Sequence, residues 1–458
     1  MKHIALIAAM LPAMAAAAPA KPVAYDIVKL RDAALNDTIA YDIVEGLTTE
    51  VGQRLAATEA EARARTWAVA KLKALGFSNV HIEPFTMPVW TRGVETAEIV
   101  SPFPQKLTLA ALGNSAATQP GGVTAQVVAF DGLEALQAAN PETVRGKIVY
   151  VTHHMIATQD GSGYGYFGDV RRKGPLVASQ MGAAAVIIRS IGTDVSRAPH
   201  TGVTEYGTIP PLPAAALSIV DAEQLDRILK RGKPVMMRLV LTPQHAPNGQ
   251  SGNVVAEIPG KDPTAGVVLV GGHLDSWDLG TGAIDDGAGV AISTAAAKRI
   301  LDSGIKPRRT IRIVWFGAEE PGLFGGLAYR DRHKDEPHAI VSESDFGADR
   351  IWKFDTKLPA GAEAVRARLI EALAPLGIAP GNTAAHGDSD VGPLVEIGIS
   401  AIDMNQDGRR YFDLHHTAED TLDKIDPAQL RQNVAAWTVM LAIAANAPEN
   451  LVKTPAPK

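Results

Sequence analysis

The chain has no cysteine among its 458 residues, so it can form no disulfide and offers no thiolate for catalysis or metal binding. Any metal it holds must be bound by histidine, aspartate and glutamate. Aromatic residues make up only 5%, and no block of lysine and arginine interleaves with them, which removes the usual footprint of a nucleic-acid partner. The net charge of −6 is spread along the sequence and favours no phosphate-backbone partner. Neither terminus offers an uninterrupted apolar run approaching the roughly 20 residues that span a bilayer. Two catalytic signatures are missing as well: there is no HExxH and no GxSxG, so helix-borne zinc proteases and nucleophile-elbow serine hydrolases lose support.

What is there describes a large globular protein, with 46% hydrophobic and 21% charged residues in a chain too long for one ordinary domain. The first twenty residues read as an export signal: Lys2 and His3, an apolar stretch from Ile4 to Ala15, then Ala18-Pro-Ala20 as a small-residue cleavage pattern. A membrane anchor is the alternative, but the stretch supplies only about a dozen apolar residues and is interrupted by Pro12. The expectation is a periplasmic or secreted protein, cleaved after Ala18 or Ala20.

The spacing of Ala64, Ala68, Leu72 and Leu75 predicts a packing helix over 49–76, ended by Gly76. From 123 to 246 the texture changes to short β-rich runs separated by proline- and glycine-rich connections, as expected of an α+β module placed between residues 21–122 and 247–450 of a larger domain. Runs at 267–271 and 311–316 are almost continuously apolar, which is what strands covered on both faces need. With a helix from Gly287 to Leu301 between them, they predict an α/β fold around a mixed, mainly parallel sheet. Asp426 and Pro427 then open a buried C-terminal helix, and 451–458 read as a disordered tail.

The chemistry concentrates in "GGHLDSWDLGTGAIDDGAG", residues 271–289, which places one histidine, four aspartates and six glycines directly after a predicted strand. In open α/β sheets, ligands gather beyond the carboxyl ends of the strands. His273 and Asp275 stand at one such end, and Glu319 and Glu320 at another. Carboxylates crowded there repel one another unless a proton or a cation compensates them, and with histidine present a divalent metal is the simplest compensation. Asp285 follows His273 by twelve residues across a glycine-rich turn, enough chain to bring both to one pair of ions. Asp275 is better placed to orient the imidazole than to bind metal. One of the two glutamates can bind an ion while the other moves a proton, although an isolated Glu-Glu is more often a solvated helix start. "SESDFG" adds Asp345, with Glu343 a weaker candidate, and "YFDLHHTAEDT" adds His415 and His416. "GYGYFG" (Gly163, Gly165, Gly168) matches a dinucleotide glycine pattern, but it lies about ten residues past its strand and lacks the acidic residue expected some 20 residues on.

Together with "FGAEEPGLFGG" and "HGDSDVGPL", these stretches give the chain a pattern that resembles the zinc-dependent aminopeptidase family that includes plasma glutamate carboxypeptidase. The similarity covers roughly residues 24–447, with the middle module similar to an inserted protease-associated domain. The resemblance implies two zinc ions: His273 and Asp345 as ligands on opposite metals, Asp285 bridging, Glu320 and His416 completing the shells, and Glu319 as general base. Position 415 is tyrosine in many relatives; a histidine there can still donate to a developing oxyanion. The implied activity is hydrolysis of small unblocked peptides, with a homodimer implied only by the resemblance. A broader aminopeptidase acting on longer peptides, and a non-catalytic binding protein on the same fold, are the alternatives. Asp278, Asp286, Asp388 and Asp390 receive no role.

Overall fold

The computed structural model describes residues 25–452, so the expected export segment (1–20) and residues 453–458 lie outside the described residues. Among the described residues no helix is long and apolar enough to cross a membrane. Leu451 and Val452 were expected in a disordered tail, but Leu451 is fully buried and its carbonyl accepts a hydrogen bond from Ser400.

The chain builds two eight-stranded sheets with helices, a mixed α/β architecture. In the first sheet the strands run Ser78–Thr91, Gln244–Ile258, Ile311–Phe316, Val267–His273, His338–Glu343, Ala401–Gln406, Ile351–Lys357 and Ala379–Pro380. Ile311–Phe316 and His338–Glu343 flank Val267–His273, both in parallel. Because successive side chains point to opposite faces, the same strands feed two cores. Val268, Val270, Ile313 and Trp315 join the larger cluster with the helices Ala288–Asp302 and Pro427–Asn446. Leu269, Val314, Phe316 and Val341 pack on the opposite side with Tyr329 and Leu394. This two-sided burial explains why the runs lack polar alternation.

The chain leaves Val267–His273 through the helix Ala288–Asp302 to the neighbour on one side, then reaches the neighbour on the other side through Phe324–His333. Such a reversal opens a crevice at the carboxyl end of the middle strand. The last residue of that strand is His273.

The helix expected over 49–76 is shorter: it runs Glu59–Ala74, capped by Thr58, whose hydroxyl accepts from Glu61 N. Gly52 at φ +80 ends the preceding turns, and 52–55 leave helical geometry so that Arg54 can reach the glycine-rich stretch. Asp426 caps the C-terminal helix through Ala428 N and Gln429 N, with Pro427 at its first position.

Strands Gln105–Leu107, Glu95–Ser101, Met236–Leu241, Val123–Asp131, Ile148–Thr152, Ala185–Arg189, Ala214–Leu217 and Leu109–Ala111 form the second sheet, in that order. The texture change at 123 therefore falls inside this sheet, three of whose strands come from residues 95–111. Asp278 grips the segment that leads from the first sheet into the second: its carboxylate accepts Arg92 Nε at 2.9 and 3.0 Å and Nη2 at 2.8 Å. Trp277 beside it meets Trp90 edge-on, with ring centroids 6.0 Å apart.

The helix Ala288–Asp302 sits so close to the sheet that a Cβ on Gly289 would lie 1.8 Å from Ser344 O and 2.2 Å from Asp286 Oδ1. Alanine in a helix ordinarily stabilises by about 1 kcal/mol over glycine. Here Gly289→Ala is expected to destabilise by about 1–3 kcal/mol through overpacking. Urea unfolding measures the difference, and an unchanged or raised midpoint would show that the helix can lift from the sheet.

Candidate metal centre

His273 ends its strand, Asp345 lies two residues beyond Glu343 at the end of the next strand, and Glu319 and Glu320 follow the Phe316 strand. All converge on one crevice. His273 Nε2 is 3.0 Å from Asp285 Oδ1, 3.3 Å from Asp345 Oδ1 and 4.0 Å from Glu319 Oε2. His416 Nε2 is 3.1 Å from Asp285 Oδ2 and 3.0 Å from Glu320 Oε2. Two donor groups result, His273–Asp285–Asp345 and Asp285–Glu320–His416, each with its ligand atoms within 4.8 Å of one another. They share Asp285 and use one oxygen of it for each group.

This division corrects the expectation that His273 and Asp345 serve opposite metals: their contact places them in the same group, while Glu320 and His416 make the other. Asp275 also acts differently. Its main-chain carbonyl, 3.0 Å from His273 Nδ1, holds the imidazole, whereas its carboxylate stands 3.7 Å away. That carboxylate accepts Glu319 N at 3.0 Å and Glu320 N at 3.3 Å, so Asp275 fixes the turn that presents both glutamates. Glu343 belongs to neither group; its Oε2 accepts from Val391 N. His415 is buried beside His416, packs against Tyr411 and Tyr164, and leaves Nδ1 without a partner.

Several groups brace this arrangement without a signal in the spacing. Asp420 accepts Ile284 N at 2.6 Å and Asp285 N at 3.2 Å. Asp286 accepts His273 N at 2.9 Å and Gly289 N at 3.0 Å, locking the strand end to the helix start. The fully buried Arg54 donates to the carbonyls of Leu274, Thr281 and Gly282. A Cβ on Gly282 would lie 2.6 Å from Arg54 Nη1, and one on Gly272 would lie 2.3 Å from Asp286 Oδ2. These glycines make room for the groups that hold the turn. From the second sheet, Thr201 N donates to His416 O at 2.9 Å and Thr201 O faces His416 Nδ1 at 3.3 Å. His416 itself sits at φ +59, strained backbone of the kind that persists only where surrounding contacts hold it.

Burial pushes the Glu319 carboxyl well above its ordinary range, with Asp345 and Glu320 adding to the effect. Glu320 is pushed up to about 7, by burial first and Asp285 second among the raising causes. Asp420 is also held at about 7 by burial and by Asp285. Asp285 runs the other way: hydrogen bonds from His273 and His416 outweigh its burial and hold it well below the usual carboxylate range. So much buried acid fits a divalent pair, and imidazole–carboxylate donors suit zinc. A third cluster, His200–His415–His416, is close enough to bind an ion, but Arg171 Nη1 stands 3.2 Å from His200 Nε2 and 2.9 Å from His416 Nδ1 and places positive charge there. The groups open into a cavity of about 1040 Å³ lined also by Tyr164, Arg171, Lys357 and Asp388.

Metal binding must displace the protons that compensate the carboxylates. Below about pH 7 Glu320 holds one, and above it that proton is gone. Proton release per divalent ion is therefore expected to be larger at about pH 6 than at about pH 8, with apparent affinity rising across that range. Calorimetry in buffers of different ionisation heat measures it, and equal release at both pH values would contradict the assignment of Glu320.

The sequence profile of peptidase family M28 matches residues 253–441. Carboxypeptidase Q from Bos taurus is 34% identical over 426 residues, covering 91% of this chain and 87% of its own. The human carboxypeptidase Q is likewise 34% identical over 427 residues, with the same coverage. The crystal structure of a peptidase M28 precursor from Shewanella amazonensis SB2B superposes with a TM-score of 0.91 at 46% identity, covering 94% of this chain and 98% of that one. A zinc aminopeptidase from Bacillus subtilis shares the fold, with a TM-score of 0.65 at 21% identity over 90% of this chain and 97% of its own. A strand-end crevice with two donor groups joined at one aspartate, and likeness over nine-tenths of the length, lead to one conclusion: the chain belongs to peptidase family M28.

Proposed function

We propose that the chain is an exported metallopeptidase that cleaves small unblocked peptides, with two zinc ions held by His273, Asp285, Asp345, Glu320 and His416. The observation that carries this reading is the pair of donor groups sharing Asp285, with a further carboxylate, Glu319, facing them from the cavity wall. The relatives named carboxypeptidase Q support a peptidase that acts at the carboxyl end of its substrate. The charged start and apolar stretch of residues 2–15 support export. The second sheet is read as the inserted protease-associated module, beginning near residue 95.

When bound, the metal pair supplies acidification of the attacking water and polarisation of the scissile carbonyl. Glu319 is the group that moves protons. Its carboxylate lines the cavity, is not needed in either donor group, and is held in place by the hydrogen bond from its own N–H to Asp275. It accepts the proton of the attacking water and delivers it to the leaving amine. His415 is kept neutral by burial, so that an N–H of its ring can donate to the oxyanion that develops on the substrate carbonyl.

Glu319→Gln keeps the shape and removes the base. Peptidase turnover is expected to fall roughly 10²–10⁴-fold, while metal content, measured by elemental analysis of the purified protein, stays at the wild-type level. Near-normal turnover would remove Glu319 from the role of base, and loss of activity with loss of metal would make it a ligand instead. Chelation of the wild type is expected to abolish hydrolysis, with zinc restoring it.

A further inference from the structure

Three cationic side chains line the cavity, and they differ in how their charge is met. Arg172 is paired with Asp169 at 2.8 Å. Lys357 is exposed, with Nζ on the carbonyl of Val395. Arg171 is buried, at 4% exposure, and among the described residues no carboxylate lies within 4 Å of its guanidinium. Burying an unpaired charge is unfavourable, so a lone guanidinium facing a cavity calls for a negative group from elsewhere.

The donors of Arg171 are unevenly used. Nη1 carries every hydrogen bond the side chain makes: to Thr201 O at 2.9 Å, to His200 Nε2 at 3.2 Å and to His416 Nδ1 at 2.9 Å. When His416 offers Nε2 to a metal, its ring proton sits on Nδ1, and that contact no longer accepts from Arg171. Nε is buried and has no partner. The Nε–Nη2 edge is the fork that takes a carboxylate in bidentate fashion. The group is also held still. A Cβ on Gly202 would lie 1.5 Å from Nη1 and 2.3 Å from Cζ, so the guanidinium lies against bare backbone, and Cζ stands 5.8 Å from the Tyr164 ring centroid.

Position decides what the missing anion is. One imidazole ring separates Arg171 from the carboxylates of Asp285 and Glu320: Nη1 is 2.9 Å from Nδ1, and Nε2 is 3.0–3.1 Å from the two oxygens. Consecutive Cα atoms are about 3.8 Å apart, so the terminal carboxylate of a dipeptide lies within about 5 Å of the carbonyl being cleaved. A longer peptide has an amide at that place. Two divalent ions would also offset the four carboxylates Asp285, Glu319, Glu320 and Asp345, leaving Arg171 as the positive charge still to be met. We infer that Arg171 reads the free carboxylate of a dipeptide on the leaving-group side of the scissile bond, and so selects dipeptides over longer chains. The inference rests on the metallopeptidase reading above.

The test uses the metal-loaded full chain with alanyl-alanine and with its C-terminal amide, following release of alanine or alaninamide. The wild type is expected to prefer the free dipeptide. In Arg171→Met, kcat/KM for alanyl-alanine is expected to fall about 100-fold, the scale of losing one partner of a buried charged pair. Hydrolysis of the amide should change little, and Arg171→Lys should recover part of the preference. Calorimetric binding of both compounds to the Glu319→Gln protein, with and without Arg171→Met, should show the same selective loss without turnover. Equal losses on both substrates would overturn the inference by making Arg171 a support for His416, and so would a preference that survives the substitution. A wild type that cleaves both compounds alike would overturn it while leaving the metallopeptidase reading intact. Failure of the metal-loaded wild type to cleave either compound would count against that reading itself.

Discussion

The structure depends on how buried negative charge is tolerated at the carboxyl ends of three parallel strands. Asp285, Glu319, Glu320 and Asp345 meet there with two imidazoles, and Asp286, Glu343 and Asp390 stand close behind. In a medium of low dielectric such a group of carboxylates cannot all be ionised without cations, which is why burial drives so many of them upward in pKa. The exception, Asp285, lies between His273 and His416. The carboxylate shared by both donor groups is thus the one that two imidazoles hold well below the usual carboxylate range.

Around that charge the chain spends its polar groups on backbone N–H and C=O rather than on neighbouring side chains. Asp275, Asp286 and Asp420 each accept two main-chain N–H groups, and Arg54 donates to four carbonyls. Anchoring to backbone fixes each loop regardless of side-chain rotamers, which is what ligands held to a few tenths of an ångström require.

Much of this was legible in the sequence, and the gaps have physical causes. The strands at 267 and 311 declare themselves because both faces are buried, and the five residues of the two donor groups sit just past strand ends, in the glycine-rich stretch after His273, or in one histidine-rich loop. The C-terminal helix shows its cap in Asp426 and Pro427. Less visible was which ligand pairs with which, because that depends on strand order, and strand order leaves no local trace. Asp275 was legible as a brace but not as one acting through its carbonyl. Arg54 lies more than 200 positions from the carbonyls it holds, with nothing in its neighbourhood to mark it. Arg171 and His200 are equally remote from His416, and the strands at 95–111 join the second sheet through pairings with residues 214–241.

Asp278 and Thr201 have a consequence for how such a protein can be rearranged over time. The stretch 271–289 supplies ligands and also, through Asp278, grips the segment leading into the second sheet, while Thr201 returns from that sheet to take up both the carbonyl-side and ring-side contacts of His416. The second sheet is spliced into the coordination chemistry at two points. Excising it would leave the His416 main chain and ring without the two contacts that Thr201 makes, so the second sheet also serves to hold one of the donor side chains.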